Sequence, residues 1–403
     1  MIDTILNVSQ IHYIKGGSDR YFFSLTELLK SHGHRVIPFS SKSPEDTSTE
    51  WAMYFPEHVD FKNPGVGDII RYIYNKQAAA CIKRLISTQP VKLAHLHIYY
   101  GQLTSSILSP LKKARIPIVQ TLHEFKIVCP VYKLLSHGKH CQDCKGHTFW
   151  HATSKRCNRG SVMRSLLSTV ESYVSRSFGS VSRIDHFIAV SDFLRSKVIE
   201  LGIPPEKIST VHNFIDLTHI MSSHRKGEYF LYFGRLERLK GLFTLLEAVR
   251  PLKESTLLIV GDGEMRPDIE AYLEKHDLHH IKLLGFKKGK ELSDLVSNSI
   301  CTIIPSEWHE PCPLTIFESF AHGRPVIGSS IGGLPELVSN NIDGFLLQPK
   351  DIESLREGMI WMSAHRDRAV EMGGAGRKKV EKYYSAEIHY EKVMKVYRKV
   401  TGK

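Results

Sequence analysis

Two glutamates flank the start of a predicted helix in PSEWHEPCPLTIFESF, residues 305–320. Pro311 and Pro313 lack amide donors and disfavour helix before them, so the spacing predicts a helix that begins near Pro313. Glu310 then lies in the preceding loop and Glu318 in the first turns of the helix. The free N–H groups of a helix start bind phosphate or sugar oxygens. The alternative is a helix cap with one surface glutamate, because this spacing does not fix the ~5–9.5 Å carboxyl separation of a glycosidase.

A second segment, YFGRLERLKG at 232–241, places two cations near a strand end. Arg235 follows a predicted strand directly, and Lys240 stands at the start of the next helix. An arginine binds two oxygens at once and a lysine acts as a point charge, a combination that suits a diphosphate leaving group. Alone, the two residues are also typical of solvated surface. The nearby GDGE, at 261–264, lacks the third glycine of a dinucleotide-binding fingerprint, which argues against a nicotinamide cofactor.

Strands that alternate with helices must position these residues. Strands separated by helices predict parallel sheets with crossover connections, and the pattern pauses near residues 213–228 before it restarts. We therefore expect an α/β fold of two doubly wound domains, with the ligand site in the cleft between the carboxyl ends of their strands. The apolar runs that predict the strands are 4–11, 34–40, 91–100, 116–124, 186–191, 229–236, 255–263, 280–286, 299–306, 325–330 and 344–349.

Taken together and in this order, the motifs resemble those of family 4 glycosyltransferases, the retaining enzymes of the GT-B fold. FGRLERLKG, VGDGE, LLGF, the Glu310/Glu318 pair and GGLPELV match the nucleotide-sugar domain of that family. Gly16-Gly17, GHRV, HLH, the histidine of TLHEF and SDFLRSKVIELGIPPEKI match its acceptor domain. One departure is NFID at 213–216, where the family usually has Asn-Gly-Ile-Asp, and we carry nothing over from Phe214.

The resemblance covers nearly the whole chain and implies its domain organisation. It implies an acceptor-binding N-terminal domain at 1–220, with a cysteine-bearing insertion at 126–160. It also implies a nucleotide-sugar-binding C-terminal domain at 226–384. The helix at 385–403 is then expected to close the fold by packing back on the N-terminal domain.

On the donor side, the resemblance implies a role for each matching residue. Arg235 and Lys240 would bind the donor diphosphate, and Glu310 would hold the donor sugar together with the loop amides. Glu318 would bind the ribose hydroxyls. The remaining donor-binding residues of the second half are Phe286 and Lys287, whose backbone would hold the base, and Pro313, Leu314 and Thr315, which line the sugar loop.

On the acceptor side, the resemblance implies two contacts with the donor. Gly16 and Gly17 would let the backbone approach the phosphates, since glycine has no side chain. His123, just past a strand end, would contact the donor sugar. Without the family pattern, an ordinary core or surface histidine is the simpler interpretation of His123.

The implied chemistry is hexosyl transfer with retention, and the candidate catalytic residues are Glu310, His123, Arg235 and Lys240. No residue stands out as a nucleophile. The enzyme would stabilise the departing nucleoside diphosphate electrostatically and hold an acceptor hydroxyl on the same face of the sugar. We expect no catalytic metal, because cations and helix N-termini supply the positive field. The expected donor is a UDP- or GDP-sugar, and the expected acceptor is a glycan or lipid-linked glycan of surface polysaccharide or lipopolysaccharide biosynthesis.

Four cysteines form the pattern C-x11-C-x2-C-x12-C within the insertion: Cys129, Cys141, Cys144 and Cys157. Four thiolates in such spacing could bind one tetrahedral zinc ion. A second C-x2-C pair, which would make the pattern diagnostic, is missing. Histidines of the same segment are alternative ligands, and four free structural thiols are the alternative to a metal. By contrast, His95 and His97 share a strand face without a third ligand, which argues against a metal there.

Composition and charge narrow the class of protein. The chain has 403 residues, of which 42% are hydrophobic and 24% charged, as in ordinary soluble proteins of two to three domains. It has no run near the ~18 apolar residues of a membrane span, and its first residues lack a signal-peptide pattern. We therefore expect a cytoplasmic protein.

The net charge of +12 is concentrated in one part of the chain. Residues 126–186 contain ten Lys/Arg against three Asp/Glu. The stretch SVMRSLLSTVESYVSRSF, residues 161–178, interleaves apolar residues with arginines at helical spacing, as an interfacial helix does. This pattern predicts peripheral association with an anionic membrane surface, on the inner face of the plasma membrane. A solvated amphipathic helix packed on its own domain fits the same spacing.

Two other functions compete with glycosyl transfer. A nucleotide-sugar epimerase can share the GT-B architecture, but it has no need for the paired motifs at 235–241 and 310–318. A zinc-bearing nucleic-acid-binding protein would explain the cysteines and the charge, but it leaves the second half of the chain unexplained. We therefore expect no nucleic-acid partner.

Overall fold

A computed structural model describes residues 2–61 and 63–402 of the chain. It consists of two compact units, which are residues 1–211 with 390–403 (unit 1) and residues 212–389 (unit 2). In the described part of the chain, the helices are too short or too polar to cross a bilayer.

Unit 1 contains a six-stranded parallel sheet of order β2-β1-β3-β4-β7-β8 and a small antiparallel hairpin, β5-β6. Its strands are β1 (Thr4–Val8), β2 (Arg35–Phe39), β3 (Leu93–Leu96), β4 (Ile118–Leu122), β5 (Leu135–Ser136), β6 (Lys139–His140), β7 (His186–Ala189) and β8 (Ile208–Thr210). Its helices are α1 (Gly17–Ser31), α2 (Val66–Ile73), α3 (Lys76–Thr88), α4 (Leu108–Lys113), α5 (Trp150–Ser154), α6 (Val162–Ser177) and α7 (Asp192–Glu200).

Unit 2 also contains a six-stranded parallel sheet, of order β11-β10-β9-β12-β13-β14. Its strands are β9 (Tyr229–Phe233), β10 (Leu257–Val260), β11 (Ile281–Gly285), β12 (Ser299–Ile304), β13 (Val326–Ser329) and β14 (Gly344–Leu347). Its helices are α8 (Leu242–Val249), α9 (Arg266–Lys275), α10 (Gly289–Ser297), α11 (Leu314–Ala321), α12 (Leu334–Leu337), α13 (Ile352–Ala364) and α14 (Arg366–Tyr383), and the last helix, α15 (Ala386–Thr401), starts here.

Both faces of the unit 2 sheet are buried. In β9, Phe230 and Tyr232 pack into the core on one face, and Leu231 and Phe233 pack on the other. A strand covered on both faces reads as a continuous apolar run, because every side chain is buried. This explains the YFLYF sequence of β9. Each predicted strand is present, and the prediction of two doubly wound α/β units is confirmed.

The end of α15 belongs to unit 1. Tyr397 is fully buried there, and its hydroxyl lies 2.7 Å from His95 Nδ1. Tyr390 stacks on His32, with ring centroids 3.6 Å apart, and its hydroxyl contacts His34 Nε2 at 2.8 Å. The sequence predicted the helix, and these aromatic contacts with histidines hold its last turns against unit 1.

Candidate functional site

The predicted donor residues of unit 2 lie in loops at the carboxyl edge of its sheet. Arg235 follows β9, Phe286 and Lys287 follow β11, and Glu310 follows β12. Strand β9 lies between β10 and β12, so the loops that carry Arg235 and Glu310 are neighbours. This edge is where doubly wound folds bind their ligands.

Two of the candidate catalytic residues are in direct contact. Lys240 Nζ donates to Glu310 Oε2 at 2.7 Å, and the two side chains are only 19% and 7% exposed. The other carboxylate oxygen, Oε1, accepts a hydrogen bond from the buried hydroxyl of Ser306. Both oxygens of Glu310 are therefore engaged in a largely buried, charge-assisted network.

Two glycines of GGLPELV hold the loop of Glu310. Gly333 N donates to Glu310 O at 2.8 Å. Gly332 has φ +65°, and a Cβ on it would lie 2.5 Å from the same carbonyl oxygen. Only glycine combines that left-handed backbone with so close an approach. The motif therefore positions the backbone of Glu310.

A third glycine seats the segment that carries Lys240. Gly241 has φ +70°, and a Cβ atom added at this residue would clash with the carbonyl oxygen of Pro305. A side chain there would push the segment of Lys240 away from the end of β12. The close approach explains how Lys240 reaches Glu310 from a loop that is distant in sequence.

The start of α11 presents one accessible face. The helix begins at Leu314 after Pro313, as predicted from the prolines. Leu314, Thr315 and Glu318 are partly exposed, whereas the other side chains of the helix are buried. These positions lie about one turn apart on the same face, and the first N–H groups of the helix are available to a ligand. The structure thus groups three predicted donor residues.

The remaining candidates of unit 2 are accessible to solvent. The Arg235 side chain is 53% exposed and forms an ion pair with Glu237 at 2.8 Å. Its carbonyl oxygen accepts a hydrogen bond from the Tyr232 hydroxyl at 2.8 Å. Phe286 is 67% exposed beside the partly exposed Lys287. A ligand at this edge would therefore find an accessible guanidinium and an apolar ring.

In unit 1, Gly16 and Gly17 form the start of α1. The Asp19 carboxylate accepts hydrogen bonds from Gly16 N at 2.9 Å and from Lys15 N at 3.2 Å. Asp19 is 5% exposed, so this buried carboxylate holds the glycine turn in place. Asp19 was not among the predicted site residues, although an acidic residue in the first turn of a helix is a recognisable capping signal.

His123 lies at the end of a buried hydrogen-bond chain. Asn7 Nδ2 donates to Thr26 Oγ1 at 2.8 Å, so Asn7 Oδ1 faces His97 Nε2–H and accepts a hydrogen bond from it, also at 2.8 Å. In neutral His97 the other nitrogen, Nδ1, is then an acceptor, and His123 Nε2–H donates to it at 3.2 Å. Nδ1 of His123 is left as an acceptor. Asn7 was not among the predicted site residues. The feature that could have identified it is a polar residue inside the apolar strand TILNV.

Burial keeps these histidines neutral. Loss of hydration lowers the pKa of His123 to about 3. Burial, followed by the neighbouring His95 and His123 rings, lowers the pKa of His97 well below its usual value. His95 is engaged by Tyr397 and by Thr121 Oγ1, each at 2.7 Å. The neutral rings of His97 and His123 thus fix the tautomer of His123, and His95 packs beside His97.

The four clustered cysteines come together, whereas the neighbouring histidines do not join them. Cys129, Cys141, Cys144 and Cys157 line one cavity of about 20 Å³, and all four thiols are free. Burial and the three neighbouring sulfurs raise the pKa of Cys144 to about 12. No histidine lines the cavity among the residues described.

Phe214, which departs from the motif that the family resemblance led us to expect, has a packing role. Phe214 is 6% exposed and stacks on His389, with ring centroids 4.3 Å apart. The His389 Nδ1–H group donates to His212 O at 2.9 Å. An aromatic contact thus replaces the turn glycine of the usual motif.

Family models match most of the chain. A model described as "Glycosyltransferase Family 4" matches residues 15–219, and one described as "Glycosyl transferases group 1" matches residues 219–379. Solved structures agree over nearly the full length at low identity. A sucrose-phosphate synthase from Thermosynechococcus elongatus has a TM-score of 0.74 at 18% identity and covers 99% of both chains. Anabaena HepE in complex with UDP has a TM-score of 0.68 at 15% identity, covering 98% of this chain and 100% of its own.

Curated relatives match over part of their length. The amylovoran biosynthesis glycosyltransferase AmsK of Erwinia amylovora is 27% identical over 52% of this chain and 55% of its own. An Escherichia coli UDP-Gal:alpha-D-GlcNAc-diphosphoundecaprenol alpha-1,3-galactosyltransferase is 31% identical over 40% of this chain and 46% of its own. The chain spans about half the length of the curated relatives that it matches.

The family matches and the shared architecture agree with the two doubly wound units described above and confirm the predicted GT-B fold class. The chain belongs to glycosyltransferase family 4.

Proposed function

We propose that the protein is a retaining hexosyltransferase that moves a sugar from a nucleotide-sugar donor to a hydroxyl of a glycan or lipid-linked glycan, in surface polysaccharide biosynthesis. The observation that carries the proposal is the contact of Lys240 with Glu310, beside the open start of α11 at the carboxyl edge of unit 2. It joins a cation suited to phosphate with a carboxylate suited to sugar hydroxyls.

The roles of these residues follow from their chemistry. Arg235 and Lys240 would bind the two phosphates, and the N–H groups at the start of α11 would bind further oxygens. The bond between C1 of the sugar and the phosphate oxygen breaks, and the diphosphate leaves with the electron pair. The acceptor oxygen bonds to C1 on the same face, and its proton passes to the departing phosphate. Glu318 would hold the ribose, and the backbone at Phe286 and Lys287 the base.

The relatives favour a UDP-sugar as the donor. The Escherichia coli relative is named for UDP-Gal and a diphosphoundecaprenol acceptor, and HepE has been solved in complex with UDP-glucose. We propose that Gly16, Gly17 and His123 of unit 1 also contact the donor. We propose further that transfer needs no catalytic metal, because Arg235 and Lys240 would supply the positive charge at the leaving group.

A donor panel tests the proposal. A bound sugar nucleotide at 100 times its Kd adds about 2.7 kcal/mol to stability, so a thermal-shift screen of UDP-, GDP- and ADP-sugars should select one donor. The anomeric configuration of the product, read by NMR, decides retention. Conversion of the donor without any acceptor would instead indicate an epimerase. No stabilisation by any nucleotide sugar would contradict the assignment.

We also propose peripheral association with an anionic membrane surface, and the orientation of α6 supports it. The side of α6 that faces its own unit is polar, and the exposed side is apolar, the reverse of an ordinary surface helix. Its buried residues are Ser165, Ser168, Thr169, Glu171, Ser172 and Ser175. Its exposed apolar residues are Val162, Met163, Leu166, Val170 and Tyr173.

Neighbouring groups extend this apolar surface. Helix α2 packs against α6 and exposes Val66, Ile69 and Ile70. Arg164 is exposed on α6 among the apolar residues, and each basic group near an anionic leaflet contributes about 1 kcal/mol. An apolar face beside cations suits the boundary between headgroups and acyl chains. A lipid-linked acceptor would be within reach of a protein held there.

A further inference from the structure

We infer that Cys129, Cys141, Cys144 and Cys157 form a structural zinc site that holds the insertion at residues 126–160 in its fold. The four thiols converge on one cavity of about 20 Å³, which is room for about one water-sized particle. Most other lining groups are apolar, such as Val128, Leu134 and Leu201. Four thiols around a space of this size match the ligand set and number of a closed, tetrahedral zinc site.

The backbone presents the first cysteine in the manner of a metal-binding turn. The Cys129 carbonyl accepts a hydrogen bond from Tyr132 N at 2.8 Å, which closes a tight turn. Burial raises the pKa of the Cys129 thiol, and the backbone amides of Leu134, Val131 and Lys133 oppose that shift. Amide donors stabilise a thiolate, the form in which cysteine binds metal.

The hairpin β5-β6 brings the second cysteine to the first. Cys141 follows β6 directly, and its N–H donates to Leu134 O at 2.9 Å. Cys144 lies one turn further, and Cys157 follows the short helix α5. Three backbone segments therefore supply the four sulfurs.

Much of the insertion is irregular, although Phe149 and Ala152 are buried and α5 packs against α6. Its regular structure consists of the hairpin β5-β6, with two residues in each strand, a 3-10 turn and the five-residue helix α5. Six of its non-glycine residues have left-handed backbone: Tyr132, Leu134, His137, His147, Arg156 and Arg159. Such positions persist when the surroundings fix them, and segments too small for a core of their own are usually fixed by metals or disulfides. Here the thiols are free, so a metal bound by the four sulfurs would add to the packing of α5 on α6.

A bound zinc ion would draw the four sulfurs closer together. Zn–S bonds of about 2.3 Å in a tetrahedron place the sulfurs about 3.8 Å apart. Among the described residues, no three of these sulfurs all lie within 4.8 Å of one another. Cys157 Sγ instead points at Ser136 Oγ, 3.6 Å away. Rotation of cysteine χ1 angles needs no change in the backbone turns.

The neighbouring groups favour four thiolates over a mixed ligand set. Asp143 lines the cavity but is held by Lys155. The ring of His137 contacts the Lys155 carbonyl at 2.9 Å, and that of His147 packs edge-on against Phe149. Four thiolates and Zn²⁺ carry a net charge of −2, and the lysines and arginines of the insertion offset it.

Metal analysis of the full chain tests the inference. Protein purified without chelator is expected to contain one zinc per chain. Protein refolded with Co²⁺ alone should show the intense visible bands of a tetrahedral thiolate site. Variants C141S and C144S should each lose most of the zinc and melt at a lower temperature. The matched control C81S alters a partly buried thiol outside the cluster and should retain the zinc.

A second measurement keeps the inference falsifiable if the cysteine variants fail to fold. In the wild-type protein, a thiol reagent should modify four more cysteines after chelation than before it. Metal-free protein with an unchanged melting temperature would overturn the inference. So would an octahedral cobalt spectrum, or zinc that persists in the C141S/C144S double variant. None of these outcomes depends on transferase activity, so they are independent of the proposed function.

Discussion

Lys240 Nζ lies 2.7 Å from Glu310 Oε2, so the cation that we assign to the donor diphosphate is neutralised by the carboxylate that we assign to the donor sugar. A diphosphate that binds here must compete with Glu310 for Lys240. When it succeeds, Glu310 is released towards the sugar hydroxyls while Ser306 still holds its other oxygen. The pair thus links occupation of the phosphate site to the availability of the sugar-binding carboxylate.

The exchange of Glu310 for glutamine separates the two roles. Glu310→Gln should lower kcat about 100-fold or more, because a charged contact to the sugar is lost. It should raise the affinity for the nucleoside diphosphate, since Lys240 no longer has a competing carboxylate. Lys240→Ala should weaken that affinity about 10- to 100-fold, as expected for a hydrogen bond to a charged group. Calorimetry with the product measures both.

Lys350→Ala is the matched control for these variants. Lys350 is 63% exposed, and its Nζ makes only a long contact of 3.8 Å with Glu307 Oε2. This variant should leave product affinity unchanged. An equal loss of affinity in the Glu310 and Lys240 variants would contradict the assigned roles.

Gly332→Ala should lower transfer activity by displacing Glu310. The new Cβ would lie 2.5 Å from Glu310 O on a backbone with φ +65°, so the Glu310 loop must shift. We expect at least a 10-fold loss in kcat/KM and a destabilisation of about 1–3 kcal/mol. Gly289→Ala is the control, since its φ is +55° and nothing lies within 4 Å of its Cβ position. If both variants lose the same activity, backbone strain alone explains the loss.

His123 should act as a neutral acceptor at Nδ1. Its pKa of about 3 predicts that titration of this group has no effect on kcat/KM between pH 5.5 and 8. His123→Ala should lower turnover about 10-fold through the loss of one sugar contact, with unchanged affinity for the sugar-free product. His123→Asn, whose amide oxygen can replace Nδ1, should recover part of the rate. An alanine variant as active as the asparagine variant would argue against this role.

Acid should destabilise unit 2 through His322. Its Nδ1–H donates to Glu318 O, and its Nε2 accepts from Ser293 Oγ, each at 2.7 Å. Burial, followed by the nearby Arg377 and Arg324, lowers the pKa of His322 to about 4. A depressed folded-state pKa gives stability that is complete above the unfolded value of 6.5 and is lost as the pH falls towards 4. The contribution is at most about 3 kcal/mol.

Urea unfolding at pH 7 and pH 4.5 measures this effect. His322→Asn keeps a donor for Glu318 O and removes the titrating group, so it should lose less stability between the two pH values than the wild type. His279→Asn, at a side chain that is 89% exposed, should behave as the wild type. An identical pH dependence in the His322 variant would rule out this group as a source.

The apolar side of α6 should carry membrane binding. Wild-type protein is expected to float with vesicles that contain anionic lipid at low salt, and to float less at high salt. The double variant M163S/L166S should reduce flotation strongly without loss of stability, because both side chains are exposed. Met221→Ser, at an 86% exposed position of unit 2, should change nothing. Failure of the wild type to float would leave a soluble acceptor as the substrate.

Much of the fold was predictable because buried parallel strands are apolar throughout. Every strand noted in the sequence is present, and Pro313 marks the start of α11. Strand β8 was not predicted, because a three-residue strand at the edge of the sheet is too short to show an apolar pattern. It also could not show the ion pair of Lys240 with Glu310, because only the order of strands brings these loops together. Nor could it show which side of α6 is buried, since periodicity defines two faces but does not assign either to the interior.

The division of the chain into units affects its synthesis on the ribosome. Unit 2 is complete at residue 389, whereas unit 1, which is made first, lacks a part until its final residues from Tyr390 onward are translated. Until then, His95 has no Tyr397 hydroxyl to satisfy its Nδ1 inside the sheet. A chain released early therefore carries an unfilled core next to its own N-terminal histidine network. A truncation before Tyr390 should therefore expose the nascent product to proteolysis, although it lies far from the candidate catalytic residues in sequence.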